Sequence, residues 1–236
     1  SGTYTSAVTA GGLSPPGTSL TTCEVWNGSS WTEVNDMNTG GSRDPFGSDS
    51  TNAIAVASGA TEQWNGTSWS EIVDLSTTRG SSPVTQSPST SGFAMGGSAP
   101  GSPQYSTAVE EFRGAGVPVG AWSTGTSMNT ARSGDLGAGT YTAALMFSSD
   151  QNSTDQLTER WNGSTWTEVG DLTQDISKST GFGATYDAAI RCGGGNPPGA
   201  GYSAISETWN GTAWTEGNDI NQARESLGSV SGSVTA

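Results

Sequence analysis

Histidine is absent from the 236 residues of this chain. That absence removes imidazole acid-base work, Ser-His nucleophilic dyads and His-ligated zinc or copper. Basic residues are scarce: 8 Lys and Arg stand against 22 Asp and Glu, a formal net charge of -14, with no basic run. Nucleic-acid phosphates and anionic membrane surfaces need clustered cations, so neither is an expected partner. No stretch approaches the roughly 18 apolar residues a spanning helix needs. The chain opens at Ser1 with no initiator Met and no basic segment ahead of an apolar core, so Ser1 reads as a cut or processed end. Cysteine is limited to Cys23 and Cys192. They fall at different positions of non-equivalent strands, and both read as buried free thiols. With 31% hydrophobic residues and 35 glycines, disorder has to be weighed against a small-residue sheet core. The tryptophans decide against disorder.

WNGSSWTEV at 26 to 34 returns as WNGTSWSEI at 64 to 72, WNGSTWTEV at 161 to 169 and WNGTAWTEG at 209 to 217. Taking Trp26 as the anchor, the equivalents are Trp64, Phe112, Trp161 and Trp209, spaced by 38, 48, 49 and 48 residues. The second anchors are Trp31, Trp69, Trp122, Trp166 and Trp214, so all nine tryptophans sit at repeat positions. The third unit is degenerate, with Phe112 as first anchor and a swollen turn, RGAGVPVGA. A fixed period of this length marks a repeat architecture.

Upstream of each pair lies a strand-length run of small, β-branched or aromatic residues: TYTSAVTAGG, TNAIAVASG, SGFAMGG, TYTAALMFSS and TYDAAIRCGGG. After the second Trp comes a connection ending in a basic residue, followed by a glycine-rich segment. Each unit therefore reads as four strands: a after the basic residue, b closing in a Gly or Ser pair, c ending at the first anchor and d beginning at the second. Asn-Gly tolerates positive φ and suits the c to d hairpin, which places Trp26 opposite Trp31. The same Asn27, Asn65, Asn162 and Asn210 formally begin Asn-x-Ser/Thr acceptors, but hairpin turns explain them better.

Four antiparallel strands per 40 to 50 residues is the pattern of a propeller blade. The expected fold is an all-β, five-bladed β-propeller forming a single domain over residues 1 to 236. Its blades fall at approximately 43 to 75, 79 to 124, 132 to 172 and 178 to 220, with the last made from 224 to 236 joined to 1 to 37. The terminal strands are expected to close the ring by pairing in that shared blade. From Trp209 through Ala236 and on to Trp26 there are 53 residues, about five more than the usual unit.

SMNTARSGDLGAGTYTAALMFSS followed by TERWNGSTWTEVGDL resembles the kelch family of β-propellers in its order of basic residue, glycine-rich strand, second strand, acid, aromatic and Trp. The His common after the kelch Arg is missing, and five units are fewer than the six or seven usual in that family. The wording is also similar to repeat proteins encoded by marine bacteriophages, which implies a virion or fibre-like component. A galactose-oxidase reading, which kelch propellers invite, fails because its copper site needs histidines. No cofactor and no metal are expected.

Five-bladed propellers also house glycosidases that use paired carboxylates. Here Glu24, Glu62, Glu159 and Glu207 precede the first anchor, Glu33, Glu71, Glu168 and Glu216 follow the second, and Asp36, Asp74, Asp171 and Asp219 come next. A catalytic pair needs unlike environments, whereas a repeated carboxylate suits a turn acceptor or ion-pair partner. The unrepeated acids Asp44, Asp49, Asp135, Asp150, Asp155, Asp175, Asp187 and Glu225 leave a glycosidase as a distant third reading.

Arg43, Arg79, Arg132, Lys178 and Arg224 occupy what reads as one repeated position near the central channel. They form either a rim for an anion or other ligand, or partners for the repeated acids. The b to c loops vary most, and their Tyr105, Tyr202, Pro16, Pro100 and Pro198 could form platforms for sugar rings. The expected function is a non-enzymatic recognition or adhesion propeller on a virion or other extracellular surface, binding host glycans or a receptor. The alternative is a structural virion module that contacts other virion proteins and takes no small ligand.

Overall fold

The computed structural model describes residues 2–41, 45–57, 59–80, 89–98, 105–114, 121–133, 136–149, 156–195 and 201–225. All regular structure among them is β. The first blade runs β1 (Gly2–Thr3) and β2 (Ser6–Ala10), then a small hairpin of β3 (Leu13–Ser14) and β4 (Thr18–Ser19) in its b to c loop, then β5 (Cys23–Trp26) and β6 (Trp31–Val34). The second is β7 (Phe46–Asp49), β8 (Asn52–Ala57), β9 (Ala60–Trp64) and β10 (Trp69–Glu71). The third shows β11 (Ser91–Met95), β12 (Val109–Arg113) and β13 (Ala121–Thr124). β14 (Leu136–Thr140), β15 (Ala143–Phe147), β16 (Thr158–Trp161) and β17 (Trp166–Glu168) make the fourth. The fifth is β18 (Thr180–Thr185), β19 (Ala188–Cys192), β20 (Ser206–Trp209) and β21 (Trp214–Glu216). Each sheet is a sequential antiparallel meander, and the five together are a five-bladed β-propeller of mostly four-stranded blades.

Gly2–Thr3 hold the inner position of the first blade, against Ala7 and Ser6. The C-terminal strand expected beside them falls within 226–236, outside the described residues.

The anchors meet as expected. Trp26 pairs with Trp31, Trp64 with Trp69, Phe112 with Trp122, Trp161 with Trp166 and Trp209 with Trp214 across each outer hairpin, with ring centroids 5.2 to 5.6 Å apart. In the four Asn-Gly hairpins the glycines adopt φ of 90° to 96°, the left-handed region that suits Gly. The Asn side chain does the rest: Asn162 Oδ1 accepts from the backbone N–H groups of Ser164 and Thr165 at 3.0 and 2.9 Å, and Asn27, Asn65 and Asn210 repeat the pattern.

Each tryptophan of a pair has its own job. The first donates its indole N–H to the a to b turn of its own blade, as in Trp64 to Ser50 O at 2.9 Å and Trp161 to Tyr141 O at 3.0 Å. The second reaches the preceding blade: Trp122 donates to Thr61 Oγ1 at 3.1 Å and Trp214 to Thr158 Oγ1 at 3.0 Å. Val109 stands at that place in the third blade and offers no acceptor, so Trp166 donates to Thr126 O instead, at 3.0 Å.

The core lies between blades. One apolar cluster joins the first and second through Val8, Ala10, Ala53, Ala55 and Trp69, and three more fill the next boundaries. Glycine makes these contacts possible. A methyl group at Gly181 would come within 2.7 Å of the Phe147 ring, and one at Gly92 within 2.8 Å of Phe46.

Candidate functional site

The connection from strand d to the next strand a begins with an apolar anchor. Met37, Leu75, Leu172 and Met128 are buried there, and each donates its backbone N–H to a carbonyl near the start of strand c of the blade just completed. The next residue caps a carboxylate of the following blade. Asn38 N and Thr39 N donate to the two oxygens of Glu62 at 2.8 and 2.9 Å, and Ser76 N donates to Glu110 at 2.8 Å. Asn129 N and Thr130 N donate to Glu159 at 2.8 and 3.1 Å, and Thr173 N to Glu207 at 2.7 Å. All four glutamates are buried. Buried carboxylates need donors and a cation, and among the described residues Glu110, Glu159 and Glu207 each pair with an arginine.

Arg79 and Arg132 supply it from the third residue after the capping position. Arg79 is 1% exposed and pairs with Glu110 at 3.3 Å. Arg132 is fully buried, pairs with Glu159 at 2.6 Å and donates to Leu157 O at 2.9 Å. Burial pushes the Arg79 guanidinium below its ordinary value, and Glu110 opposes that shift. A ligand that met either cation would have to displace a carboxylate.

The backbone register corrects the reading of one position shared by five cations. Gly12 N donates to Gly41 O, Gly97 N to Arg132 O and Gly194 N to Arg224 O, at 2.8, 3.0 and 2.8 Å. Gly41 is therefore the counterpart of Arg132 and Arg224, two residues ahead of Arg43. Likewise Gly80 and Ser177 form matching bridges to Ser98 and Gly195, so the counterpart of Arg79 is Ile176, again two residues ahead of Lys178. Arg79, Arg132 and Arg224 share the place; Lys178 does not, and Arg43 itself lies outside the described residues. Lys178 adopts φ of 49°, has a side chain 52% exposed and lies 3.8 Å from Glu225.

With an isoleucine at the cation position, Glu207 takes its charge partner from its own blade. Arg191, on β19 directly opposite Glu207, donates to it at 2.5 Å and to Gln174 O at 2.9 Å, fully buried. Sequence reasoning missed this residue. Its signal was a lone charge in the otherwise apolar strand AAIRC, Ala188–Cys192, where the fourth blade has Met146.

The repeated aspartates hold backbone or hydroxyl groups at the start of strand c. Asp74 accepts from Thr61 N at 2.9 Å, Asp171 from Thr158 N at 3.3 Å and Asp36 from Thr21 Oγ1 at 3.2 Å. Among the described residues, no three of His, Cys, Asp and Glu gather as a metal site.

Tyr105 and Tyr202 lie at equivalent places in the b to c loops of the third and fifth blades, bridged to Ser98 and Gly195 respectively. Tyr105 is half-buried, whereas Tyr202 is 61% exposed. Pro16 is described and follows Pro15 in a cis peptide; Pro100 and Pro198 fall outside the described residues. Both cysteines are free, Cys23 buried and Cys192 partly so.

No family model matches the chain, and no curated protein matches it. Among solved structures it is similar to that of YjhT, with a TM-score of 0.66 and 12% identity over 89% of this chain and 80% of that one. At this identity the likeness is one of fold, and it supports a kelch-like β-propeller.

Proposed function

We propose that the chain is a non-enzymatic recognition propeller, displayed on a virion or other extracellular surface, that binds host-surface glycans through its b to c loops. The observation that carries this reading is Tyr202. The residue is 61% exposed, yet its backbone is bridged to Gly195, and Ser203 N beside it donates to Gly194 O at 2.7 Å. An aromatic face presented from a fixed backbone is what stacking on a sugar ring requires, since little side-chain freedom is lost on binding. The roles of the repeated carboxylates support the non-enzymatic part. Glu62, Glu110, Glu159 and Glu207 are buried and hold linker amides rather than facing a cleft.

The test is a glycan array with the purified chain, with and without Ca2+, repeated with Tyr202→Ala. Saturable binding to a defined sugar that falls at least tenfold in the variant is expected. A flat array under both conditions overturns the reading. It would favour a structural module that assembles with other virion proteins, a reading supported by Trp31, a large apolar residue that is 49% exposed.

A further inference from the structure

The bridges that fix Tyr202 continue one segment further. Ser177 pairs with Gly195 and Gly195 with Tyr202, so three segments stand side by side past one end of β18, β19 and β20. Residues directly opposite one another in antiparallel pairs point to the same face, with Cβ atoms about 4.5 to 5.5 Å apart. Gly195 has no side chain to place there, and the carboxylate of Glu225 takes the position instead. Its Oε2 lies 2.7 Å from where a Cβ on Gly195 would stand, and Ser177 Oγ lies 3.9 Å from the same point. The aromatic residue, the hydroxyl and the carboxylate therefore share one face. Lys178, next in sequence to Ser177, brings its Nζ to 3.8 Å from Glu225 Oε2. Tyr202 and Lys178 are exposed, and Ser177 and Glu225 are partly so.

The third blade shows what the same backbone looks like without these groups. There Gly80, Ser98 and Tyr105 form the matching ladder, so a serine side chain stands where Gly195 has none. Arg132 holds the place of Arg224, which makes Ser133 the counterpart of Glu225, and Ser133 is buried. Tyr105 is half-buried. The blade scaffold therefore needs neither a glycine at position 195 nor a carboxylate at position 225, and both occur beside the more exposed of the two tyrosines.

We infer that Tyr202, Glu225, Lys178 and Ser177 form one sugar subsite that selects neutral pyranosides over anionic ones, an inference that rests on the glycan-binding reading. Tyr202 supplies the stacking face. Glu225 is an acceptor only, so it takes hydrogen bonds from two adjacent ring hydroxyls, and bonds to an ionised acceptor are shorter and stronger than neutral ones. The Lys178 ammonium donates to a hydroxyl oxygen and anchors the carboxylate beside it. Anionic sugars are refused by the same groups. A sialic-acid carboxylate or a sulfate meets Glu225 at close range on a chain of net charge -14, and the cation at hand already faces Glu225.

The experiment is an array of neutral oligosaccharides with their sialylated and sulfated derivatives, probed with the whole chain and with Tyr202→Ala, Glu225→Gln and Gly195→Ala. Glu225→Gln keeps the shape and removes the charge. Gly195→Ala keeps every charge, and its Cβ displaces the flexible carboxylate from the face; the φ of Gly195 is not positive, so alanine suits its backbone. Circular dichroism checks that each variant folds. Neutral glycans are expected to bind roughly tenfold or more tightly than their acidic derivatives, and both Glu225→Gln and Gly195→Ala to weaken that binding by roughly tenfold or more. Glu225→Gln is also expected to narrow the gap between neutral and acidic glycans, which a carboxylate with a merely structural role would not do. Binding that falls with Tyr202→Ala but is indifferent to Glu225→Gln leaves the recognition reading standing and overturns this subsite, as does a preference for acidic glycans. An array with no binding at all overturns both.

Discussion

Arg132 and Glu159 stand 2.6 Å apart with both side chains fully buried, and the same carboxylate accepts the amides of Asn129 and Thr130. One group thus ties the linker, the cation and strand c of the fourth blade. Arg132→Met leaves a buried carboxylate without its charge partner, and removing one member of such a pair costs about 3 to 5 kcal/mol. Urea unfolding should show a loss of that size. Adding Glu159→Gln to Arg132→Met should cost less than its effect alone, since the charge it removes is already unpaired. A loss within about 0.5 kcal/mol for Arg132→Met, the range of an ordinary surface substitution, would show that the pair is not holding the blade.

The fifth blade solves the same problem from another position, which allows the cation to be moved. Arg191→Met should destabilise by about 3 to 5 kcal/mol for the same reason. Ile176 occupies the register of Arg79 and is buried. Ile176→Arg in the Arg191→Met background should restore a substantial part of the loss, whereas Ile176→Arg alone should destabilise by placing a second cation beside one carboxylate. Failure of the double variant to exceed Arg191→Met in melting temperature would refute the equivalence of the two positions.

The blade pattern was legible because its residues act locally. Asn-Gly turns, tryptophan pairs and strand-length runs are each decided within a few residues of sequence, and Trp26 meets Trp31 as their spacing implies. The linker register was not, because charge is a poor ruler. Arg43 and Lys178 look equivalent to Arg132, yet backbone position is set by the apolar anchor four residues before the cation site: Met37, Leu75, Met128, Leu172 and Ile220. Counting from those anchors gives Gly41 and Ile176 instead. Arg191 was hidden for a related reason, since a buried pair can draw its cation from any strand that reaches the carboxylate.

Thiol chemistry should follow burial. Desolvation is the largest influence on both Cys23 and Cys192 and raises each thiol above its ordinary value, with nearby Arg191 partly offsetting it at Cys192. Alkylation by iodoacetamide near pH 8 should therefore be much slower in the folded chain than in urea. The stability consequence has a definite sign. The folded state holds these protons more tightly, so their contribution is intact below the ordinary thiol range and declines as pH rises from there through the raised values. Replacing both cysteines by serine should flatten the fall in stability measured between pH 8 and 10.

Cys23 also marks the weakest of the tryptophan latches. Trp122 and Trp214 donate to Thr61 and Thr158, and Cys23 occupies the corresponding place on β5. Trp69, which packs with it, turns its buried indole N–H toward the Cys23 sulfur and reaches no oxygen or nitrogen acceptor among the described residues. A sulfur is a weak acceptor, so the N–H is desolvated with little return. Cys23→Thr offers an oxygen at the position that serves the other boundaries, and should stabilise the chain by about 0.5 to 1.5 kcal/mol, the ordinary net worth of a hydrogen bond. Cys23→Val, with similar bulk and no acceptor, should give no such gain. Comparing the two by thermal melting separates the hydrogen bond from packing: equal melting temperatures for Thr and Val would mean that the latch is a matter of shape alone.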